Sequence, residues 1–554
     1  MKRFFIILAS IAAICCVTGA RSADARKDAF ARKLHTFNSI VKELHTNYVD
    51  TLDAVDIMDK TIDALLYQID PYTEYYPSDN QDEILSISQG KYAGIGSVIT
   101  KRGDSVYISE PQWTSPARKA GLRAGDAILA VDGVPVTPKT DIGDVSKNLR
   151  GQAGTEVRVD VRRPYTADSL LSFTITRADI NVDPLPYFGV DSTDIGYLRL
   201  TTFNESSARR VREALLSMLA DKELKGIVID LRSNGGGLLE SAVQIASNFV
   251  PKGTEILRTR GRDPRDERIY KTVGQPLNLK IPLAILIDGS TASASEILSG
   301  SFQDLDRAVI VGERSFGKGL VQTTRPLPYD DILKITTGRY YIPSGRLIQV
   351  LDYSHRNPDG TPARTPDSLT HEFSTRAGRI VRDGGGITPD VTVKLPDANR
   401  LLYNIVADSW AFDYATRFVA MNPQPAPSDS FVVGDSIFAD FKAFIDPTRF
   451  KYDRQCEAAL KYLREAAEAE GYMTDSVSKQ FEVLGAMLRH DLDHDLNINR
   501  DAIIDILDSE LAARYYSDAD RVRRQLSGDS ALTEARAILL DPARYKALLQ
   551  PDKQ

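Results

Sequence analysis

Apolar residues recur at three- and four-residue spacing near the start of the chain, a pattern typical of amphipathic helices. One stripe comprises Phe30, Leu34, Phe37, Ile40, Val41, Leu44 and Tyr48, and a second comprises Met58, Ile62 and Leu65. The residues from Asp70 to Thr73 have turn composition. We therefore expect a helical segment over residues 24–80.

Between residues 81 and 180 the pattern changes to short strands separated by turns. Apolar runs such as Gly94 to Ile99 and Val157 to Val161 alternate with glycine-containing turns. A short helix is predicted from Ser115 to Leu122, because serine is favoured at the N-cap of a helix and glycine, here Gly121, at its C-terminal end. Residues 81–180 are thus predicted to form a small β domain.

Strands and helices alternate from residue 181 to residue 397. The predicted strands are Gly196 to Leu200, Gly226 to Asp230, Leu283 to Ile287 and Ala308 to Val311. The predicted helices are Ser207 to Leu219, Leu238 to Phe249 and Ala294 to Phe302. This alternation predicts an α/β domain with a mainly parallel sheet. Residues 398–554 are rich in alanine, leucine and charged residues, which predicts a helical region.

Length and composition indicate an exported protein of several domains. A chain of 554 residues is longer than one hydrophobic core normally accommodates, so several domains are expected. The net charge of −7 gives no electrostatic reason to expect nucleic-acid binding. Lys2 and Arg3 precede an apolar run, which predicts a signal peptide over residues 1–23 and a periplasmic or membrane-associated location. A membrane anchor and lipidation at Cys15 or Cys16 are the alternatives. Cys456 would then be the single cysteine, expected to be a buried apolar residue.

Candidate chemistry is concentrated at Ser293 and Lys318. Ser293 is expected near the first turn of a helix, where unpaired backbone N–H groups can stabilise an anion. Lys318 lies between Gly317 and Gly319, which allow close backbone packing. A lysine can take the serine proton only in its neutral form, which burial favours. Taken singly, Lys318 is more simply explained as a surface charge in a glycine turn and Ser293 as a helix-capping hydroxyl.

A glycine-rich loop follows the predicted strand that ends at Asp230. The segment Ser233-Asn234-Gly235-Gly236-Gly237 permits close backbone approach. A phosphate cradle is one interpretation, although Walker-type spacing is missing, and an oxyanion hole is the other.

The histidines do not favour a Ser-His-Asp triad. Only His355 and His371 fall between residues 181 and 397, both in a loop-rich part of it. The run from His490 to Asp495 superficially resembles a metal site but lacks the pattern of a calcium loop, so a solvated turn is favoured. We expect no metal and no organic cofactor.

In combination these motifs resemble the carboxyl-terminal processing peptidases, also called tail-specific proteases, over residues 30–396. The motifs are Gly94-Ile95-Gly96, Ser115-Pro116-Ala117, Ala124-Gly125-Asp126, Asp230-Leu231-Arg232, Asn234-Gly235-Gly236, Thr291-Ala292-Ser293-Ala294-Ser295-Glu296, Gly317-Lys318-Gly319 and Gly384-Gly385-Gly386-Ile387. The resemblance implies that Ser293 is the nucleophile, Lys318 the general base and Gln322 the residue that orients the lysine. It also implies oxyanion donors at the backbone N–H groups of Ala294 and of Gly235 or Gly236.

The resemblance further implies a fold and a function. The fold is multidomain: a helical N-terminal segment, an inserted PDZ-like β domain, an α/β, crotonase-like serine peptidase core, and a helical C-terminal region. The PDZ-like domain would bind the C-terminal tail of a protein substrate through the loop Gly94-Ile95-Gly96, or would only pack against the core. The predicted function is a serine endopeptidase, and the alternative is an inert PDZ-containing scaffold. The C-terminal helices could form oligomers or hold an adaptor.

Overall fold

The computed structural model describes residues 28–78, 81, 89–394, 399–452, 455–488 and 491–551. The predicted signal peptide lies outside these residues. None of the described helices is both long enough and apolar enough to span a membrane. Of the described residues, those within 1–78 and 322–336 form one compact unit, and those within 79–321 and 337–554 form a second.

The first unit begins with two helices, as the apolar spacing predicts. Helix α1 covers residues 28–47, and α2 (Ala54–Tyr67) begins after Asp53, whose carboxylate accepts from the N–H groups of Val55 and Asp56. A short strand, β1 (Glu74–Tyr76), follows. The predicted apolar stripe of α1 is exposed at nearly every position, so this helix is amphipathic without a buried face in the described part of the chain.

The predicted small β domain is confirmed. Its elements are β2 (Lys91–Gly94), β3 (Ser97–Arg102), β4 (Ser105–Pro111), α3 (Pro116–Ala120), β5 (Ala127–Val131), β6 (Val134–Pro135), α4 (Ile142–Leu149), β7 (Glu156–Arg162), β8 (Leu170–Thr176) and β9 (Ala178–Asn181). Helix α3 has the expected caps, since Ser115 Oγ accepts from the Arg118 N–H and Gly121 is left-handed with φ 103°. In the main sheet, ordered β3-β4-β5-β7-β8, strand β3 lies at an edge.

The α/β domain follows the predicted alternation of strands and helices. Its elements are β10 (Tyr187–Val190), β11 (Ile195–Arg199), α5 (Ser207–Asp221), β12 (Gly226–Asp230), α6 (Leu239–Ala246), β13 (Glu255–Gly261), β14 (Arg268–Lys271), β15 (Leu283–Ile287), α7 (Ala294–Asp304), β16 (Val309–Gly312), β17 (Leu320–Pro326), β18 (Ile332–Tyr341), β19 (Leu351–Arg356), β20 (Pro362–Arg364), β21 (Glu372–Ser374), β22 (Ile380–Arg382) and β23 (Val391–Thr392). A six-stranded sheet has the order β10-β11-β12-β15-β16-β23, and β11 to β23 within it are parallel.

Both faces of this sheet are buried. Successive side chains of a strand point to opposite faces, so one strand can contribute to two apolar clusters. On one face, Ile227 and Ile285 belong to a cluster with apolar residues of α5, α6 and α7. On the other face, Val228 and Leu286 pack with residues of a helix near the end of the chain, α16 (Ser530–Leu540). The C-terminal part of the chain therefore covers one face of the six-stranded sheet.

Strands β17 and β18 form a hairpin whose tip belongs to the first unit. In that unit, residues Ile332 to Lys334 pair antiparallel with β1. In the second unit, the end of β18 from Gly338 to Tyr341 pairs with β13.

The remaining C-terminal chain is helical, as predicted. Its other helices are α8 (Arg400–Ala407), α9 (Trp410–Met421), α10 (Asp435–Phe444), α11 (Gln455–Ala469), α12 (Asp475–Met487), α13 (Leu492–Ile498), α14 (Arg500–Tyr515), α15 (Asp518–Gln525) and α17 (Pro542–Leu548). Helices α8, α9, α10 and α14 contribute to a separate apolar core. The expectation that Cys456 is buried is wrong: it is exposed on α11, which packs against the neighbouring helix α12.

The small β domain also contacts the C-terminal helices. Arg118 Nη2 donates to the Arg514 carbonyl oxygen at 2.9 Å, and Arg102 forms an ion pair with Asp413 at 2.6 Å. A Cβ atom on Gly125 would lie 2.3 Å from Thr416 Cγ2, so glycine is needed for this close approach. The C-terminal helices thus contact both the sheet of the α/β domain and the small β domain.

Candidate active site

Ser293 occupies a sharp turn between strand β15 and helix α7. Its backbone has φ 57° and ψ −116°, a combination that residues with a side chain rarely adopt. The turn is fixed by Asp288, whose N–H donates to Thr291 Oγ1 and whose carboxylate accepts from the Ser290 N–H. Strain of this kind is found where the surroundings enforce it, often at functional sites. It presents the half-buried Ser293 side chain at the amino end of a buried helix.

Lys318 is held in a loop that requires its flanking glycines. A Cβ atom on Gly317, whose φ is 89°, would lie 2.0 Å from Val350 Cγ2. On Gly319 it would lie 2.9 Å from the Gln349 backbone nitrogen. The Gly319 N–H also donates to Gln349 Oε1 at 2.7 Å. The glycines therefore let the loop pack directly against the chain at residues 349–350, and Lys318 is half-buried.

The carboxylate of Glu296 joins the Ser293 and Lys318 backbones. Its Oε2 accepts from the Ser293 N–H at 2.8 Å and from the Lys318 N–H at 2.9 Å. Its Oε1 accepts from Ser315 Oγ at 2.5 Å and from the Gly317 N–H at 2.7 Å. Glu296 is completely buried, so these four donors take the place of water around its two oxygens.

Tyr340 makes a second link between the same two segments. Its hydroxyl donates to the Lys318 carbonyl oxygen at 2.7 Å and also lies 3.2 Å from the Ser293 carbonyl oxygen. The ring is 1% exposed, and the residue belongs to β18, far from both segments in sequence. Two buried side chains thus fix the spacing of the Ser293 and Lys318 backbones.

The sequence interpretation did not assign a role to Glu296 or Tyr340. A glutamate three residues after a serine fits a capping box, and that pattern would have pointed to the Ser293 N–H as a partner. The contacts with Ser315, Gly317 and Lys318 have no comparable local signal. They arise only when the chain brings two separate segments together.

Burial raises the pKa of Glu296 to about 7, although the hydrogen bonds from Ser315 and the three backbone N–H groups oppose the shift. The ordinary value is 4.5, so the folded protein binds this proton more tightly than the unfolded chain does. The stability contributed by this proton is complete below about pH 4.5 and is lost as the pH rises through about 7. The difference is about 3 kcal/mol, at about 1.4 kcal/mol for each pKa unit.

The substitution Glu296→Gln is expected to remove this part of the pH dependence. The amide does not titrate, and its single acceptor oxygen also leaves two donors unpaired, which lowers stability at every pH. Urea unfolding between pH 4.5 and 8 measures both effects. Glu240→Gln, an exposed glutamate in the first turn of α6, is the control and should keep the wild-type slope. An unchanged slope in Glu296→Gln contradicts the assignment.

The glycine loop lies directly against Ser293. A Cβ atom on Gly236, whose φ is 99°, would lie 2.8 Å from both Ser293 Cβ and the Ala294 nitrogen. Asn234 fixes the loop: its Oδ1 accepts from the Gly236 N–H at 2.9 Å, and its carbonyl oxygen accepts from the Ala292 N–H and Ser295 Oγ. The loop and the start of α7 therefore form one hydrogen-bonded unit.

Two backbone donors of this unit are candidates for holding an anion. Among the described residues, neither the Ala294 N–H nor the Gly235 N–H has a hydrogen-bond acceptor. Gly235 is exposed, and a Cβ atom built on it would meet open space. Because the Gly236 N–H is already bonded to Asn234, the geometry favours Gly235 between the two glycines.

Gln322 and the histidines singled out in the sequence make contacts of their own. Gln322 belongs to the first unit, where its Nε2 donates to Thr336 Oγ1 at 3.2 Å, and its orienting role stays a prediction. His355 is exposed on strand β19 and pairs with Asp352, and His371 is exposed on a loop and pairs with Asp383. His490 lies outside the described residues.

The predicted tail-binding loop precedes the edge strand β3. Ile95 is buried in the core of the small β domain, so its backbone rather than its side chain is available to a ligand. In the described part of the chain, the N–H groups of Ile95 and Gly96 have no acceptor. A Cβ atom on Gly94 would lie 3.6 Å from the Leu149 carbonyl oxygen, so the loop begins beside the end of helix α4.

Comparison with known proteins gives three family matches. The description Peptidase family S41 matches residues 194–353, and PDZ domain matches residues 107–163. The C-terminal helical domain of a probable PDZ-protease matches residues 401–539. These matches fall within the α/β domain, the small β domain and the C-terminal helices respectively.

Two relatives and one solved structure extend the comparison. The chain is 36% identical to a carboxy-terminal-processing protease of Bartonella bacilliformis over 57% of this chain and 73% of that one. It is 33% identical to a chloroplastic C-terminal processing peptidase of Tetradesmus obliquus over 50% of this chain and 62% of that one. A photosystem II D1 C-terminal processing protease of known structure has 29% identity and a TM-score of 0.36, over 65% of this chain and 86% of that one.

The resemblance drawn from the sequence motifs is therefore confirmed. The small β domain is a PDZ domain, and the α/β domain is a serine-type peptidase core. With a relative matched at this identity over most of its length, the chain belongs to the carboxy-terminal-processing proteases of peptidase family S41.

Proposed function

We propose that the protein is an exported endopeptidase that cleaves protein substrates through Ser293 and Lys318 after its PDZ domain has bound their C-terminal tails. One observation carries the proposal. Ser293, strained at the start of a buried helix, is fastened through Glu296 to the loop that bears Lys318. A structural serine and a surface lysine would need neither the strain nor a shared buried carboxylate.

In the proposed reaction, Ser293 Oγ attacks the carbonyl carbon of a peptide bond. The neutral Lys318 amine takes the hydroxyl proton as the new C–O bond forms. The Ala294 and Gly235 N–H groups face the negative charge that develops on the carbonyl oxygen. Lys318 then passes its proton to the departing amine, and the peptide C–N bond breaks to leave an ester on Ser293.

Hydrolysis of the ester repeats these steps with water. Lys318, now neutral again, takes a proton from the attacking water, and the same two N–H groups face the second oxyanion. The proton returns to Ser293 Oγ as the ester C–O bond breaks. The cycle consumes one water and leaves both side chains as they began. Gln322 is proposed to orient the Lys318 amine.

Recognition of the tail is proposed to use the edge of the PDZ sheet. Among the described strands, β3 pairs with β4 alone, so a substrate tail can add to its other edge. The N–H groups of Ile95 and Gly96, which have no acceptor among the described residues, are proposed to hold the terminal carboxylate. Apolar residues of α4, including Val145 and Leu149, belong to the adjoining core. Association with a second copy or an adaptor through the C-terminal helices stays a prediction.

A digest of matched substrates tests this function. An unstructured reporter protein with an apolar C-terminal tail is expected to be cleaved at least about tenfold faster than the same protein ending in a C-terminal amide. The amide removes the charge that backbone N–H groups bind best. A reporter with two aspartates at its end is the second comparison. Product masses identify the bonds cut, and equal rates for all three reporters contradict recognition of the tail.

A further inference from the structure

The end of strand β12 carries a buried group of charges. Asp230 is completely buried, and its Oδ2 accepts from Tyr197 Oη at 2.7 Å and lies 2.8 Å from Arg199 Nη1. Arg232 closes the other side, with Nη2 at 2.6 Å from Oδ2 and Nε at 3.0 Å from Oδ1. Burial opposes the charge on Asp230, but its hydrogen bond with Arg232 and the Arg199 charge hold its pKa below the ordinary range.

A residue from the C-terminal helices completes this group. Asp529 Oδ2 lies 2.5 Å from Arg232 Nη2, and its Oδ1 lies 3.1 Å from Nη1, so the two side chains pair through two contacts. Both are largely buried, with 16% and 11% of their side chains exposed. Asp529 is also the N-cap of α16, where its Oδ1 accepts from the Leu532 N–H.

Asp529 neutralises a positive charge in this group that Asp230 alone does not. Without it, the two cations Arg199 and Arg232 would face the single carboxylate of Asp230. A largely buried cation that loses one of two partners is left poorly compensated and moves toward water. Burial disfavours the charge on Arg232, and hydrogen bonds to Asp230 and Asp529 raise its pKa again.

Arg232 stands at the start of the glycine loop. Its own N–H donates to Asp230 Oδ1 at 2.9 Å, and the next N–H, of Ser233, donates to Asp288. Ser233 has φ 57°, so the loop is strained immediately before Asn234 and Gly235. Asp288 holds this strained position from the Ser293 side, and the Arg232–Asp529 pair holds it from the side of the C-terminal helices.

We infer that Asp529 is a positioning residue of the peptidase site: through Arg232 it holds the glycine loop in the conformation that directs the Gly235 N–H at the reacting carbonyl. Helix α16, which begins after Asp529, therefore contributes to the geometry of the peptidase site. The kinetic side of this inference rests on the proposed function, whereas its effect on the loop does not.

The substitution Asp529→Asn tests the inference. Asparagine caps a helix as well as aspartate does, so α16 is kept while the ion pair is lost. We expect kcat on an unstructured peptide to fall about tenfold, less than the loss from removing a whole oxyanion donor, with KM changed less than about twofold. Backbone amide exchange over residues 231–236 should become faster, and exchange within α16 should stay the same.

Asp541→Asn is the matched control. Asp541 caps the next helix, α17, accepting from the Ala543 and Arg544 N–H groups, and it forms no ion pair in the described part of the chain. This variant should keep wild-type kcat and loop exchange. If Asp529→Asn has a lowered melting temperature, Asp529→Ser, whose serine can also cap α16, replaces it in both measurements.

A double-mutant cycle with Arg232→Lys shows whether the effect passes through Arg232. In that background, Asp529→Asn should change kcat by less than about twofold, because the paired guanidinium is already gone. An equal fall in both backgrounds overturns the inference, as does unchanged kcat and loop exchange in the single variant. A further outcome separates this inference from the proposed function. If Asp529→Asn speeds amide exchange in the loop while Ser293→Ala keeps its activity, the proposed function is contradicted and the structural role of Asp529 stands.

Discussion

Replacing Ser293 with alanine is expected to lower kcat for peptide hydrolysis by a factor on the order of 10⁵, as removal of a nucleophile does in other serine peptidases. Alanine keeps the Cβ atom and the N–H that donates to Glu296, so the turn and the Lys318 loop stay in place. Binding of a tail peptide should be unchanged, because the PDZ domain is untouched. Initial rates on the apolar-tailed reporter and a titration with its tail peptide give the two values.

Ser290→Ala is the control for this substitution. Ser290 lies in the same turn and is exposed, and its N–H rather than its hydroxyl bonds to Asp288. The variant should retain the wild-type rate within about twofold, as surface substitutions usually do. Cleavage by Ser293→Ala at more than about a hundredth of the wild-type rate contradicts the nucleophile assignment.

Replacing Lys318 with methionine is expected to lower kcat by a factor of about 10³ to 10⁴, the upper range for loss of a general base. Methionine keeps an unbranched chain of similar length while removing the amine. The contacts of Glu296 and Tyr340 at this residue are with its backbone N–H and carbonyl oxygen, so they survive the change. Thermal melting should therefore change little, and kinetics on the same reporter measure the loss.

The effects of the two catalytic substitutions on kcat should not be additive. Residues that act in one step lose that step together, so Lys318→Met in the Ser293→Ala background should have no further effect. Lys280→Met, an exposed lysine of the same domain, should keep wild-type activity. A Lys318→Met enzyme within about tenfold of wild type would falsify the role of the lysine.

Local signals were strong enough to predict the elements that present Ser293. Strands β12 and β15 have the predicted bounds because each contains a short apolar run, Ile227 to Ile229 in β12 and Leu283 to Ile287 in β15, that ends at an aspartate. The glycines around Lys318 indicated close packing, which the contacts with Gln349 and Val350 explain. Such features depend on neighbours in sequence, so a single chain reveals them.

The parts that sequence reasoning missed depend on contacts between distant segments. Tyr340 reaches the site from β18, and Asp529 reaches Arg232 across 297 residues of chain. Neither has a local pattern that distinguishes it from an ordinary buried tyrosine or an ordinary helix cap. Likewise Cys456 was expected to be buried from its alanine-rich surroundings, but α11 contacts little beyond its helical neighbour.

The C-terminal helices show the same limit at the level of domains. Their composition predicted a helical region but not its partners. Apolar residues of α16 fill the space against β12 and β15, and Gly226 leaves room for Leu539, since a Cβ atom there would lie 3.1 Å from its methyl groups. The helices that follow the peptidase core in sequence thus complete its second face.

The proposed mechanism requires that Ser293 is the nucleophile and that Lys318 activates it. Labelling with a serine-directed fluorophosphonate, followed by peptide mass mapping, measures both roles. We expect one adduct, on Ser293, that forms at least about a hundredfold more slowly in Lys318→Met, because the hydroxyl loses its base. An adduct on Ser290, Ser295 or any other serine, or labelling of Ser293 at an unchanged rate in Lys318→Met, would contradict it.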